Sequence, residues 1–273
     1  MGAEAVIDQG KRNVLGIRVD AVDYEAAVDK VVTAARERRP LALTALAVHG
    51  VMTGVQDRAH AARLNSFDLV TPDGQPVRWA LNLLHKAALP DRTYGPLLTL
   101  KVLERMAAEG LPVYLYGSTD EVLDTFKSNL LAKYPELKIA GDEPSKFRVN
   151  EPGEPEKIAA RIAETGARLV LVGLGCPRQE IFAHAMREHL DMPLMAVGAA
   201  FDYHAGNLRK PPSWMQKRGL EWLWRLGLEP KRLWRRYLIL NPIYATRLAA
   251  QAAKIKTPTP AEPTRTPAEP FAV

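Results

Sequence analysis

The chain has 273 residues, of which 47% are hydrophobic and 25% are charged. This is an ordinary globular composition, and it excludes a fibrous or wholly disordered protein. The sequence contains a single cysteine, Cys176, so an intrachain disulfide and a cysteine-cluster zinc site are both excluded. It has no apolar run of membrane-spanning length, and its first residues lack the apolar stretch of a secretion signal. We therefore expect a cytoplasmic protein.

The net charge of +6 is concentrated in one segment of the chain. Residues 1–208 carry 24 basic and 27 acidic residues, whereas residues 209–256 carry 12 basic residues and two acidic ones, Glu221 and Glu229. Four of the five tryptophans also lie in this segment: Trp214, Trp222, Trp224 and Trp234. Clustered cations suit phosphate on a nucleic acid, an anionic membrane or a phosphorylated ligand. A solvated helix face is the alternative, and the tryptophans favour a membrane interface.

Short apolar segments alternate with helical patterns through the first 200 residues, which predicts an α/β fold with a Rossmann-like, mostly parallel sheet flanked by helices. The predicted strands are 41–47, 67–71, 112–116, 137–141, 168–173 and 192–198. The predicted helices are 23–38, 50–65, 75–86, 97–109, 120–133, 154–165 and 179–190. The helix at 120 has a capping-box pattern, with Ser118 as the cap and Glu121 as its partner.

The pattern divides the chain into three parts, with boundaries after residues 208 and 256. Residues 209–256 predict two helices, near 212–227 and 230–252, and the second is amphipathic and basic, with Arg232, Arg235 and Arg236 grouped beside an apolar side. Residues 257–273 include five prolines within TPTPAEPTRTPAEP and are expected to be disordered.

Ligands of open α/β sheets bind outside the carboxyl ends of the strands, and four loops there carry unusual residues. The segment Thr71-Pro72-Asp73-Gly74 is typical of a turn, but a carboxylate in that place could also take a proton from a substrate hydroxyl. The segment Gly117-Ser118-Thr119 suits either helix capping or phosphate binding at a helix start.

The third loop, GLGCPRQE at 173–180, is not a dinucleotide fingerprint, because Arg178 occupies its sixth position. The chain also has no P-loop, so a nicotinamide oxidoreductase and a P-loop enzyme are not expected. Gln179 and Glu180 suit hydrogen bonds to a ligand. In the fourth loop, GAAFD at 198–202, Asp202 could bind sugar hydroxyls or cap a helix.

The six histidines and the acidic residues show no metal-ligand spacing, and no metal or cofactor is expected. A bound diphosphate would then rely on cations of the protein.

The segments TPDGQPVRWAL, VGLGCPRQE, GAAFDYHAG and KPPSWMQKRGLEWLWRLGLEPKRLWRRYLILNP together resemble the WecG/TagA/CpsF family of bacterial glycosyltransferases, over residues 14–243. The resemblance implies an inverting, metal-independent transfer of a hexose or N-acetylhexosamine from a UDP-sugar to a polyprenyl-diphosphate-linked sugar. This reaction serves surface or exopolysaccharide synthesis on the inner face of the cell membrane. Residues 1–208 would then be the catalytic domain, and residues 209–256 an appendage that docks on an anionic membrane.

By the same resemblance, Asp73 is the general base and Gln179 a sugar-binding or catalytic residue. The appendage arginines that close the site are drawn from Arg232, Arg235 and Arg236, and Asp202 and Phe147 lie near the nucleoside. Together with the loops above, the expected donor-binding residues are Thr71, Gly74, Gly117, Ser118, Phe147, Gly173, Gly175, Pro177, Glu180 and Asp202.

Two positions depart from the family pattern: Ala47 replaces an asparagine and Leu97 an acidic residue. The sequence does not distinguish N-acetylmannosamine, its uronic acid and glucose as the donor sugar. Exposed apolar surface under the tail could support a homo-oligomer. The alternative function is a non-catalytic nucleic-acid-binding protein that uses the basic helices, although it leaves the TPDG and CPRQE loops unexplained.

Overall fold

The computed structural model describes residues 6–209, 211–265, 271 and 273, apart from the side chains of Ser213, Lys217 and Arg232. The chain begins with an antiparallel hairpin of β1 (Asp8–Val14) and β2 (Ile17–Val22). The remaining strands are β3 (Leu41–Leu46), β4 (Leu69–Pro72), β5 (Val113–Gly117), β6 (Ile139–Glu143), β7 (Leu169–Gly173) and β8 (Pro193–Ala196). They form one parallel sheet in the order β4-β3-β8-β7-β5-β6, which confirms the predicted α/β, Rossmann-like class.

Helices cover both faces of this sheet. Those of the body are α1 (Tyr24–Arg36), α2 (Val48–Gln56), α3 (Arg58–Asn65), α4 (Gln75–His85), α5 (Gly95–Ala108), α6 (Asp120–Lys133), α7 (Glu154–Glu164), α8 (Arg178–Met186) and α9 (Ala199–His204). Successive strand residues point to opposite faces. In β7, for example, Leu169 and Leu171 pack in one apolar cluster and Val170 and Val172 in the other. A strand buried on both faces needs apolar residues throughout, which is why the sheet strands could be predicted.

The hairpin was not predicted, because β1 is a polar strand without an apolar run. It lies beside the sheet edge at β4, where the buried carboxylate of Asp20 accepts a hydrogen bond from the backbone N–H of Val70. Lys11 pairs with the same carboxylate at 2.9 Å. These contacts cover a strand edge that would otherwise expose backbone groups.

Two predicted helix features are corrected. The helix predicted at 50–65 is split into α2 and α3 at Asp57, whose carboxylate accepts hydrogen bonds from the N–H groups of Ala59 and His60 and so caps α3. The cap of α6 is Thr119 and not Ser118. Ser118 lies in the turn between β5 and this cap, in a left-handed conformation with φ +62°.

The basic segment forms α10 (Ser213–Lys217), α11 (Glu221–Leu228), α12 (Pro230–Trp234), a π-helical turn (Arg235–Ile239) and α13 (Leu240–Ala252). The single helix predicted at 212–227 is therefore two, with a turn at Gly219, where φ is +69°. The wide turn before Pro242 has a physical reason, since proline has no N–H to donate to the preceding turn. The side chain of Tyr244 anchors α13, because its hydroxyl donates to the carbonyl of Pro76 at 3.0 Å.

The proline-rich tail, expected to be disordered, lies against the body over its described residues. The side chain of Asn13 donates to the carbonyl of Pro258, and that of Asn65 donates to the carbonyl of Ala261. Ala261, Phe271 and Val273 are buried. These buried side chains and the hydrogen bonds of the two asparagines hold the described residues of the segment against the body. Across the described residues, every helix is too short or too polar to cross a lipid bilayer.

Candidate active site

A cavity of about 620 Å³ opens at the carboxyl ends of the sheet strands. Loops after β3, β4, β5, β7 and β8 form its floor and walls, and the appendage forms its roof. Ten predicted site residues line it: Asp73, Gly74, Ser118, Phe147, Gly173, Gly175, Gln179, Glu180, Asp202 and Arg236. This is the place that the parallel-sheet rule indicates, and its volume is ample for a drug-sized or larger ligand.

Asp73 lies directly after β4, where its backbone N–H donates to the carbonyl of Leu46. Its Oδ1 accepts a hydrogen bond of 2.6 Å from the N–H of Gly95, which fixes the carboxylate. Burial raises the pKa of Asp73 above the ordinary value, and the nearby guanidinium of Arg92 acts in the opposite direction. The arrangement is that of a proton acceptor held in a cavity.

Arg92 also lines the cavity, was not predicted from the sequence, and makes three kinds of contact. Both of its terminal nitrogens donate to the carboxylate of Glu221 in α11, with Nη2 and Oε1 2.6 Å apart. Its guanidinium lies over the ring of Tyr94, 4.3 Å from the centroid. Its backbone N–H donates to Asp91. This bidentate pair joins the appendage to the body inside the cavity.

The glycine turns after β5 and β7 approach each other closely. A Cβ added to Gly117 would lie 2.8 Å from the carbonyl carbon of Gly173, so a side chain does not fit there. The N–H of Ser118 donates to the carbonyl of Gly173 at 2.9 Å. The starts of α6 and α8 therefore lie near each other at the cavity, and the N-terminal end of a helix favours an anion.

Gln179 uses both hydrogens of its amide within the protein. Its Nε2 donates to Glu180 at 2.8 Å and to the carbonyl of Ala196 at 3.2 Å, while its Oε1 accepts from the N–H of Gly198. A Cβ at Gly198 would lie 2.4 Å from that Oε1, which explains the glycine. Gln179 thus fixes the loop after β8, and its remaining capacity toward a ligand is that of an acceptor.

Glu180 is buried behind Gln179. The hydroxyl of Thr44 donates to Oε1 of Glu180, and burial raises the pKa of Glu180.

Within the described residues, Glu180, His60 and Cys176 form one group whose potential metal-ligand atoms lie within 4.8 Å of one another. Arg63 donates to Nδ1 of His60 at 2.9 Å, since arginine has no acceptor, and the neutral ring then carries its proton on Nε2. That tautomer disfavours a cation at this cluster.

His49, at the start of α2, also lines the cavity and was missed. Its Nδ1 is buried without a hydrogen-bond partner. Burial, with the charge of Arg236, lowers its pKa to about 4, so the ring is neutral at neutral pH. A neutral imidazole nitrogen there is a ready hydrogen-bond partner for a polar ligand.

Phe147 stands at the cavity wall with 59% of its surface exposed and a left-handed backbone, φ +53°. Its neighbours Lys146 and Arg148 both pair with Glu154, at 2.6 and 2.8 Å. These pairs lower the pKa of Glu154 to about 2. The ion pairs hold a strained loop that presents an aromatic face to the cavity.

The appendage places Arg225 and Arg236 in the cavity, together with both acids of the basic segment, Glu221 and Glu229. Trp222 and Tyr237 pack together beside them, with ring centroids 5.9 Å apart. The opposite side of the appendage is exposed and apolar at Trp214, Leu223, Leu228, Trp234, Leu238 and Ile239.

Several predicted site residues do not line the cavity. Thr71 is buried within β4, which extends one residue further than predicted. Gly117 ends β5 and Pro177 precedes α8, and neither lines the cavity. Arg235 is exposed, with its guanidinium over the ring of Trp234. The side chain of Arg232 lies outside the described residues. Arg225 takes the place expected for these arginines.

A protein-family model, the glycosyl transferase WecG/TagA/CpsF family, matches residues 12–258. The chain belongs to this family. The match confirms the resemblance read from the motifs, and it spans the sheet domain and the whole appendage. This WecG/TagA/CpsF protein is therefore a glycosyltransferase of cell-envelope polysaccharide synthesis. Membership of this family implies, in general, a sugar donor and a lipid-linked acceptor.

Proposed function

We propose that the protein transfers a hexose or N-acetylhexosamine from a UDP-sugar to a polyprenyl-diphosphate-linked sugar, with inversion, on the inner face of the membrane. The observation that carries this proposal is the placement of the carboxylate of Asp73, at the end of β4, in a cavity that is roofed by Arg225 and Arg236. Family membership supports the reaction class.

The reaction proceeds as one displacement. Asp73 takes the proton of the acceptor hydroxyl, whose oxygen attacks the anomeric carbon as the bond to UDP breaks. The electron pair of that bond leaves on the diphosphate, which gains negative charge. A single displacement inverts the anomeric carbon.

The departing diphosphate needs donors that are already in place. The N–H groups at the starts of α6 and α8 supply part of this, and Arg225 and Arg236 supply the positive charge. Arginine suits this role because its planar guanidinium can bind two phosphate oxygens at once. Phe147 offers its exposed ring to the nucleobase.

The appendage also brings the enzyme to its acceptor, because a polyprenyl chain does not leave the bilayer. Its exposed tryptophans and leucines suit insertion into the interface, and each basic side chain near an anionic surface adds about 1 kcal/mol. The nucleic-acid-binding alternative is not favoured, because it leaves the cavity that holds Asp73, Arg225 and Arg236 unexplained.

The test is a screen for UDP release from UDP-N-acetylmannosamine, its uronic acid and UDP-glucose, each with a prenyl-diphosphate-linked sugar as acceptor. We expect one donor to be turned over by the wild type and not by Asp73→Asn. Equal turnover by both proteins would remove Asp73 from its role, and no turnover of any donor would contradict the proposed function.

A further inference from the structure

Glu221 is one of two acids in a segment with 12 cations, and it lies in the cavity. Its carboxylate accepts hydrogen bonds from both terminal nitrogens of Arg92, a residue of the loop between α4 and α5. The two side chains are 15% and 7% exposed. The pair therefore crosses from the appendage to the body in a largely desolvated place.

A gain in folding stability does not by itself explain the buried ion pair of Arg92 and Glu221. Taking two charges out of water costs about as much as their attraction returns, although removing one partner of a formed pair is strongly destabilising. The two-pronged contact does, however, fix the plane of the guanidinium. A function in positioning accounts for the pair better than a function in stability.

Arg92 belongs to the segment 91–95, which contacts the carboxylate of Asp73 through the N–H of Gly95. Three residues after Arg92, the N–H of Gly95 donates to Asp73 Oδ1 at 2.6 Å. Between them, the ring of Tyr94 stacks under the guanidinium, and its N–H donates to the hydroxyl of Tyr24. A short, continuous set of contacts thus runs from Glu221 to the carboxylate of Asp73.

Glu221 also balances charge around Asp73. The cations that face Asp73 are Arg92 and Arg225, the anion is Glu221, and the remaining titratable neighbours are the phenols of Tyr24, Tyr94 and Tyr203. Arg92 lowers the pKa of Asp73 and Glu221 raises it. An unpaired Arg92 would make the carboxylate a weaker base.

We propose that Glu221 is a positioning residue: by pairing with Arg92 it fixes residues 91–95 and the carboxylate of Asp73, and it does so only when the appendage is docked on the body. The inference rests on the proposed function, in which Asp73 is the base. It gives the appendage a second role, since the same helix segment that roofs the cavity also sets up the proton acceptor.

The experiment uses the full chain with Glu221→Gln, which keeps the shape and removes the charge. The matched control is Glu109→Gln, because Glu109 forms a bidentate pair of the same kind with Arg36 on the surface. We expect Glu221→Gln to lower kcat at least tenfold with little change in KM, and Glu109→Gln to leave both constants unchanged. Glu221→Asp, which keeps the charge, should recover part of the loss.

The pH profile separates positioning from a general loss of structure. Removing the charge of Glu221 lowers the pKa of Asp73, so the acidic limb of kcat/KM moves to lower pH in Glu221→Gln. A purely structural defect would lower the rate equally at all pH values. A rate within twofold of the wild type, with the same acidic limb, would overturn the proposal.

A second measurement keeps this test separate from that of the proposed function. If the wild type releases no UDP from any donor, the proposed function fails, and hydrogen exchange then decides on Glu221. Glu221→Gln and Glu221→Asp should both fold, and the first should speed exchange at the N–H groups of Tyr94 and Gly95. Unchanged exchange at both sites would contradict the positioning role whether or not the enzyme is active.

Discussion

At the scale of single residues, the site places ionisable groups in a low-dielectric cavity. Burial raises the pKa of the carboxyl group of Asp73 and lowers the pKa of the imidazole of His49 to about 4. In both cases burial disfavours the charged form. Burying these two ionisable groups therefore costs the fold some stability, and that cost depends on pH.

Asp73→Asn should lower kcat/KM by a factor of about 10²–10⁴, the usual contribution of a general base.

The Asp73→Asn substitution should also raise Tm at neutral pH. Since the folded-state pKa of Asp73 is raised, the stability of the wild type is highest below the ordinary pKa and is lost as pH rises through the folded value. The advantage of Asn therefore grows with pH. Thermal unfolding at pH 4 and pH 7 checks this, and an equal difference at both would contradict it.

His49 and His60 should make the protein less stable in mild acid. Burial lowers both pKa values to about 4 from 6.5, so the unfolded chain binds protons first as pH falls. Stability is present above pH 6.5 and is lost as pH falls toward 4. Urea unfolding at pH 7 and pH 5 should show a smaller loss for His60→Asn than for the wild type. His189→Gln, at an exposed histidine, is the matched control, and equal losses in all three proteins would refute the assignment.

At the scale of elements, the sheet was readable because most of its strands are short apolar runs between turn signals, as in β7. The polar hairpin strand β1 gave no such signal, and the break at Asp57 was hidden because its flanks both have helical composition. Asp73 and Gln179 could be predicted to lie at the cavity, because they follow strands and the carboxyl ends of parallel strands meet at one edge of the sheet. Arg92 and Glu221 could not, because 129 positions separate them and nothing local indicates the pairing.

Glu154→Gln should weaken UDP binding about fivefold, or ~1 kcal/mol, by releasing the loop that presents Phe147. The pairs of Glu154 with Arg148 and Lys146 hold this loop, and they lower the pKa of Glu154 to about 2. The stability that they add is present above the ordinary pKa of 4.5 and is lost as pH falls toward 2.

Titration calorimetry with UDP measures the effect of Glu154→Gln. Glu143→Gln is the matched control, because Glu143 pairs with Arg161 outside the cavity. Equal affinity for UDP in the wild type and Glu154→Gln would show that the loop does not contribute to binding.

At the level of the whole molecule, the basic segment has two chemically different sets of side chains. Arg225 and Arg236 face the cavity, and Trp214 and Leu238 face outward, 53% and 55% exposed. Composition alone predicted a basic, tryptophan-rich appendage, but the direction of each side chain depends on how the helices pack. This is why Arg235 was expected in the site and is found on the outside.

The outward side should bind anionic vesicles in a salt-dependent way. Binding to phosphatidylglycerol vesicles should fall as salt rises from about 0.05 to 0.5 M, since the Debye length shrinks. Trp214→Ser with Leu238→Ser should weaken binding further, while Leu131→Ser, at an exposed leucine of α6, should not. Sedimentation with vesicles and retention on duplex DNA measure this. Retention on DNA without sedimentation would favour the nucleic-acid alternative.

In the proposed function, arginines of the appendage complete the active site. The most direct measurement is kcat for UDP release by the full-length Arg225→Ala/Arg236→Ala variant, with a detergent-soluble prenyl-diphosphate-linked acceptor so that membrane binding plays no part. The control is Arg247→Ala, which removes an exposed charge of α13 outside the cavity. We predict a loss of at least 100-fold for the double variant, about 2.7 kcal/mol, and none for the control. Wild-type kcat in the double variant would exclude Arg225 and Arg236 from catalysis.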